Sequence, residues 1–551
     1  MESRPWLKNY PPGVPANVNI DRYTSLIEFA KDALSKYSNS IAFTCMDADL
    51  SYRQLDDYSR SFAAYLHSRG LKPGDKIALM MPNLLQYPIA IFGCLRAGLI
   101  IVNTNPLYTT RELEHQLTDS GVKAIVIAEN FAAKLEQVMS KTKIEIVITT
   151  TIGEMLGTFK GSFVDFMIKY IKRMVPPFKI ANTARFSDAL AQGKKFSILD
   201  FESKSDDVIL LQYTGGTTGI SKGAMLTNGN MCANLEQIKA VICYVLEEKK
   251  ETTLSPLPMY HIFAFAVNIL AMMSIGARTI LIVNARDIKS VYKAFKKYPI
   301  SLMTGVNTLY NALLNFPGFN SLNFNSLKAS VAGGMALQES VGQNWRRVTG
   351  KTLTEGYGLT ETSPLVSLNP LNESGRLGSI GLPAPNTDVR LVDDNGQICP
   401  IGQAGEIQIK GPQVMKGYYN KPDETRNSIV DGWFLTGDIG TMDEDGFFKI
   451  VDRKKDMILV SGFNVYPNEI EEVLTSHPKI FEAAALPMID EKCGEVVKVI
   501  IVKKDQSLTE DEVMQYCKER LTNYKRPRKI EFRDSLPKTP IGKILRRELK
   551  D

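Results

Sequence analysis

Apolar residues recur at helical spacing early in the chain. Leu26, Ile27, Phe29, Ala30 and Leu34 share one face of a helix predicted to start near Thr24. Ser51-Tyr-Arg-Gln54 is a capping-box pattern, and the helix it opens carries Leu55, Phe62 and Leu66. Short apolar runs predict strands at 77–80, 99–102, 124–128 and 144–149, with a helix ending near Gly98 between the first two. Thr109-Thr-Arg-Glu112 caps another helix, and 227–242 reads as one more. This alternation predicts α/β layers around a largely parallel sheet. From about Asp388 the period changes to two, over 389–392, 406–410 and 447–451, which predicts a β-rich region. Beyond Lys455, helices at 468–476 and 509–521 flank strands at 483–486 and 496–502, a small α+β unit of ~100 residues.

Two segments depart from this rhythm. The most apolar run, 262–283, contains Asn268, Ser274 and Arg278 and falls short of a membrane-spanning helix; it reads as a buried helix running into a strand. In 151–181, Met155, Leu156, Phe159, Phe163, Phe166, Met167, Ile168, Ile171 and Met174 mix with Lys160, Lys169, Lys172, Arg173 and Lys179. Such a segment suits either a helix packed on its own domain with solvated lysines, the somewhat commoner outcome, or one lying on an anionic membrane surface.

A chain of 551 residues exceeds a single core and predicts at least two domains. Its 44% hydrophobic and 23% charged content is that of a globular protein. A net charge of +6 at this length is too mild to argue for nucleic acid. The seven cysteines form no CxxC pair, and Met1–Trp6 has no apolar signal core, so the expected location is the cytoplasm.

The chemistry concentrates in motifs. After the apolar run at 208–211 comes Tyr213-Thr214-Gly215-Gly216-Thr217-Thr218-Gly219-Ile220-Ser221-Lys222. Its glycines let the backbone approach a ligand, its hydroxyls donate, and Lys222 adds a positive charge, which together suit a polyphosphate. Ser221 rather than Gly precedes Lys222, so this is not a Walker loop. Gly333-Gly334 and Gly356-Tyr357-Gly358-Leu-Thr360-Glu361 offer bare backbone and a tyrosine ring for a flat base, with Thr360 and Glu361 as oxygen ligands. Asp438 follows a glycine and suits the two hydroxyls of a ribose; Arg453 sits in the charge run 452–456. His261 lies within a stretch, 252–286, that contains no Asp or Glu, and Phe263 and Phe265 there suit a fatty-chain pocket or a plain core. Lys543 stands in a loop near the C-terminus, and Lys525, Arg526, Arg528, Lys529, Arg546 and Arg547 form a basic cluster suited to a phosphate or to solvent.

Together these motifs resemble the adenylate-forming superfamily of acyl-CoA synthetases, luciferases and peptide-synthetase adenylation domains. Tyr357-Gly-Leu-Thr-Glu361 and the stretch 450–470 are most similar to bacterial long-chain fatty-acid–CoA ligases. The resemblance implies an N-terminal domain over 1–452, with two α/β sheet layers and a β-rich subdomain, and a mobile α+β lid over 453–551. It implies acyl-AMP formation from ATP and a fatty acid, followed by transfer to coenzyme A. On this pattern the loop 213–222 would hold phosphates, and Thr214 and Glu361 would hold Mg²⁺. Gly333, Gly334 and Tyr357 would face adenine, Asp438 ribose, and Arg453 ribose or phosphate. Lys543 would contact carboxylate and α-phosphate, with Glu361 and His261 as the other catalytic candidates. Lys455 would be the hinge and Gly462 would line the pantetheine tunnel. Peripheral contact with the cytoplasmic face of the membrane and a homodimer are both compatible with it. The competing readings are an acyl-AMP ligase loading a carrier protein and a CoA ligase for medium-chain or aryl acids.

Overall fold

The structure, a computed structural model, describes residues 4–214, 221–284, 286–460, 463–490, 494–539 and 542–549. Local signals set many of its helices. Ser51 and Gln54 exchange side-chain and backbone bonds at the start of helix Tyr52–Ser68, and Thr109 with Glu112 does the same for Thr110–Ser120. Helix Gln86–Arg96 is buried on every side, which explains its unbroken apolar sequence.

Two large sheets carry the N-terminal part. In the first, Lys76–Met80, Ile100–Asn103, Ala124–Ala128, Ile146–Thr150, Ala184–Arg185 and Val208–Thr214 are parallel. Lys222–Thr227 and then Gly417–Tyr418 close its edge antiparallel. The second sheet runs parallel through Arg278–Leu281, Thr252–Ser255, Leu302–Gly305, Ala329–Ala332 and Leu353–Gly358. One hydrophobic cluster joins helices Tyr52–Ser68, Gln86–Arg96 and Asn228–Ile242 to strands of both sheets. The apolar run after His261 is helical through Ser274 and then forms strand Arg278–Leu281. No helix among the described residues is long and apolar enough to cross a membrane.

A third, antiparallel sheet contains Asp388–Val392, Gly405–Lys410, Trp433–Met442 and Phe448–Arg453. Sheet membership changes between Arg453 and Ile458. Ile458–Val460, Phe463–Val465, Ile480–Asp490, Gly494–Lys503 and Lys529–Arg533 form a fourth sheet. It has its own core, with Ile470 and Leu474 from helix Pro467–Thr475 and Val513 and Cys517 from Glu510–Arg520. The expected α/β body with a smaller α+β C-terminal unit is therefore present. The strands at 483–486 and 496–502 are longer than their apolar runs, because ladder pairing continues to Asp490 and Gly494.

The 151–181 segment meets the commoner expectation only in part, because it is seated on its own domain through Gly161 but leaves its aromatic face unburied. Thr158–Phe166 is helical and continues through Met167–Ile171, but in the first part only Gly161 is buried. The aromatic side chains face solvent instead of the domain.

Candidate active site

Parallel strands Ala329–Ala332 and Leu353–Gly358 are neighbours, with Ala332 opposite Glu355. Their carboxyl ends bring Gly333-Gly334 beside Gly356-Tyr357-Gly358. Ligands bind at such strand ends in open α/β sheets. A Cβ on Gly333 would stand 3.1 Å from the Phe263 ring and 3.4 Å from the Gly356 carbonyl oxygen, so only glycine leaves this floor bare.

Asp438 and Arg453 are cross-strand partners in the third sheet. The Tyr357 hydroxyl donates to Asp438 Oδ2 at 2.7 Å, and Arg453 Nε lies 3.3 Å from Oδ1. Asp438 is 5% exposed, so this carboxylate is oriented from two sides before any ligand arrives. Burial, with Asp438 beside it, raises the Tyr357 phenol well above its ordinary pKa and keeps it a donor.

Where the glycine-rich loop leaves the first sheet, Thr214 lies opposite Lys222 across an antiparallel pair. The intervening Gly215, Gly216, Thr217, Thr218 and Gly219 lie outside the described residues, as does Gly462. Lys222 Nζ is 2.8 Å from Glu424 Oε2 and 4.7 Å from the Tyr418 ring centre. The Tyr418 hydroxyl donates to Glu361 Oε1 at 2.8 Å. Glu361 is 9% exposed, and desolvation raises its pKa.

The C-terminal unit supplies the last charge. The Lys543 backbone N–H donates to Thr539 Oγ1 at 3.0 Å, and the Thr308 hydroxyl donates to the Gly542 carbonyl at 3.3 Å. The C-terminal segment thus leans on helix Asn307–Leu314. Burial, followed by repulsion from Arg453, lowers the Lys543 ammonium to about 7, while Asp438 opposes the shift. Desolvation and then Lys543 lower the His261 imidazole to about 4. His261 is therefore neutral at neutral pH, and its Nδ1 accepts weakly from the Phe263 N–H at 3.4 Å.

A cleft of about 1820 Å³ joins these groups. Tyr213, Thr214, Lys222, His261, Gly333, Gly334, Gly356, Tyr357, Gly358, Thr360, Glu361, Asp438, Arg453, Lys455 and Lys543 all line it. Ser221 is not among the lining residues; its carbonyl meets the His115 ring at 2.9 Å. Phe263 lines the cleft, whereas Phe265 is fully buried in the core. No group of three or more His, Cys, Asp or Glu able to hold a metal occurs among the described residues.

A family model described as AMP-binding enzyme matches residues 30–419, and one described as AMP-binding enzyme C-terminal domain matches 469–543. The chain belongs to the AMP-binding enzyme family. It is 53% identical over 547 residues to a long-chain-fatty-acid–CoA ligase of Yersinia pestis, covering 99% of this chain and 97% of that one. A ligase of the same name from Salmonella typhimurium is 53% identical, covering 99% and 98%. The fold matches a crystal structure of an anthranilate CoA ligase in complex with anthranoyl-AMP, with a TM-score of 0.86 and 23% identity over 97% of this chain and 98% of that one.

Three groups of this AMP-binding enzyme escape a reading by motif. Tyr418 and Glu424 reach Glu361 and Lys222 through the two-residue edge strand Gly417–Tyr418 and the helix that follows it. A glycine followed by two tyrosines was the only available signal. Asp452 is fully buried within a run that reads as solvated surface; it accepts from the Arg453 and Asn468 backbone N–H groups, and burial raises it to about 6. Arg546 is held inside, forking onto both Glu471 oxygens at 2.8 Å and lying 3.5 Å from Asp456. It therefore braces the segment carrying Lys543 and is not free for a coenzyme phosphate. Lys525 is similarly paired, with Glu469 at 2.7 Å.

Proposed function

We infer that this AMP-binding enzyme is a long-chain fatty-acid–CoA ligase. ATP and coenzyme A are its co-substrates. The observation that carries the inference is the continuity of one cleft. Glycine floor, ribose-type carboxylate and phosphate-side cations open into a lining of Ile238, Ile242, Ile262, Phe263, Val267 and Leu368 that belongs to the hydrophobic core cluster. No acidic residue lies in 252–286 to pair a substrate amine. An apolar wall without a counter-anion suits a hydrocarbon chain, worth ~0.8 kcal/mol per buried CH₂.

In the proposed reaction, a carboxylate oxygen attacks the α-phosphorus of ATP and pyrophosphate leaves. The coenzyme A sulfur, having lost its proton, then attacks the acyl carbonyl, and AMP leaves with the phosphate-bound oxygen. Tyr357 and the glycine floor would receive adenine, Asp438 and Arg453 the ribose, and Thr214 and Lys222 the distal phosphates. Lys543 would bridge carboxylate and α-phosphate, holding two anions at reacting distance. Neutral His261 would border the acyl carbonyl. Magnesium carried by nucleotide phosphates takes only one or two protein oxygens. The buried Glu361 carboxylate, with Thr214 across the cleft lining, fits that need, and the ion would offset phosphate charge. The second half-reaction requires Lys543 to leave and Gly462 to approach, a turn of the C-terminal unit, residues 453–551, about Lys455. A substrate that partitions into bilayers also favours peripheral contact with the cytoplasmic face of the membrane.

With palmitate, ATP, Mg²⁺ and coenzyme A, the expected products are palmitoyl-CoA, AMP and pyrophosphate in equal amounts, read by chromatography. ADP and inorganic phosphate in their place would overturn the assignment.

A further inference from the structure

The segment that faces solvent against expectation has two distinct sides. Asp165 fixes one side: its Oδ2 accepts from the Thr151 hydroxyl at 2.6 Å and its Oδ1 from the Gly153 N–H at 2.8 Å. Gly161, four residues earlier on the same face, lies against Gly153 so closely that a Cβ there would stand 2.3 Å from the Gly153 carbonyl oxygen. The helix is therefore seated by residues 161 and 165, and its rotation is set.

Positions 159, 163, 166 and 170 recur at helical spacing on the opposite side. Phe159 is 94% exposed, Phe163 65%, Phe166 51% and Tyr170 61%, followed by Ile171 at 59% and Met174 at 53%. Single exposed apolar side chains are ordinary, but a contiguous stripe of aromatic rings marks an interaction surface. Lys169, Lys172 and Arg173 stand among them, exposed, with the Lys169 ammonium 6.0 Å from the Tyr170 ring centre. The one acid on the helix, Asp165, is spent on Thr151 and Gly153. Exposed rings flanked by exposed cations complement a surface that is apolar beneath and negative at its rim, which is an anionic bilayer.

We propose that the segment 158–174, helical from Thr158 through Ile171, is a docking element that seats this enzyme on anionic lipid bilayers through Phe159, Phe163, Phe166 and Tyr170, with Lys169, Lys172 and Arg173 at the headgroups. The proposal rests on the long-chain-acid reading for its purpose, since such acids reside in bilayers, but not for its test. Each Lys or Arg near such a surface contributes on the order of fivefold in affinity.

The test is sedimentation of the full chain with vesicles of phosphatidylglycerol and phosphatidylcholine, or of phosphatidylcholine alone. Strong binding is expected only to the former, weakened by 0.5 M salt. The F159S/F163S/Y170S variant should lose binding at least tenfold. K169Q/K172Q/R173Q should lose on the order of 10²-fold and its salt dependence. Both variants should keep the wild-type kcat/KM on octanoate in vesicle-free buffer, which shows that they are folded. Wild-type vesicle binding by either variant overturns the proposal. A shift from dimer to monomer in the aromatic variant with unchanged vesicle binding also overturns it and makes the stripe a contact between copies. If no acid is activated by any form, the ligase reading fails, and the vesicle result still decides the docking element.

Discussion

Replacing Lys543 with Ala should lower the rate of adenylation by on the order of 10²–10³-fold, while leaving thioester formation from supplied acyl-AMP nearly intact. The split follows from the geometry. Lys543 lines the cleft from a segment of the C-terminal unit, braced by Arg546 and resting on Thr308. It can serve only the step during which that segment occupies the cleft. Its pKa gives a second readout. Burial, reinforced by Arg453, lowers the ammonium to about 7, so in the free enzyme the charged form is full below that pH and is lost as pH rises through it. The kcat/KM for adenylation, which reports the free enzyme, should fall above about pH 7. The bound triphosphate favours the charged form, so the corresponding limb in kcat should lie higher. K543R carries a guanidinium that does not titrate in this range, and its basic limb should vanish. An unaltered limb in K543R would assign the titration to another group.

The second large effect concerns Glu361. E361Q keeps the shape but removes the charge, and kcat/KM for ATP should fall by on the order of 10²-fold, with a higher magnesium concentration needed for half-maximal rate. Y418F should show the same change of magnesium dependence at about tenfold, the size of one hydrogen bond to a charged group. The Tyr418 hydroxyl bonds Glu361 Oε1 while its ring lies against Lys222, so this one side chain positions the two groups proposed to meet the phosphates. Were Tyr418 only a packing residue, its Phe variant would lose stability or nothing and keep the wild-type magnesium curve. Glu424 occupies Lys222 in the free enzyme, and a triphosphate would have to displace it.

Features set within a few residues were legible in the sequence. The capping boxes at Ser51 and Thr109 name both partners within four positions, and the structure forms both. The ladder of helix and strand that predicts an α/β body was legible for the same reason. Pairings set across long separations were not. Gly417–Tyr418 joins Lys222–Thr227 from nearly two hundred residues away, and no periodicity announces an edge strand of two residues. The burial of Asp452 and Arg546 was not legible because their counter-charges come from separate segments, Glu471 and Asp456 for Arg546 and Arg546 itself, 3.7 Å away, for Asp452. A local charge run looks solvated until those segments fold together. The helical stretch from Thr158 to Ile171 fails differently. Its spacing showed an apolar face, but which side is seated depends on Gly153, Gly161 and Asp165 closing the other one.

The most direct measurement is pyrophosphate release with ATP and Mg²⁺ across straight-chain acids from two to eighteen carbons, with and without coenzyme A. Each added pair of CH₂ groups buries ~1.6 kcal/mol of transfer energy. The expected kcat/KM therefore rises roughly tenfold per pair to a maximum between about twelve and eighteen carbons, with sustained turnover only when coenzyme A is present. A maximum at short or aryl acids would contradict the apolar lining as a fatty-chain site. A single equivalent of pyrophosphate, unaffected by coenzyme A, would contradict the thiol-transfer step.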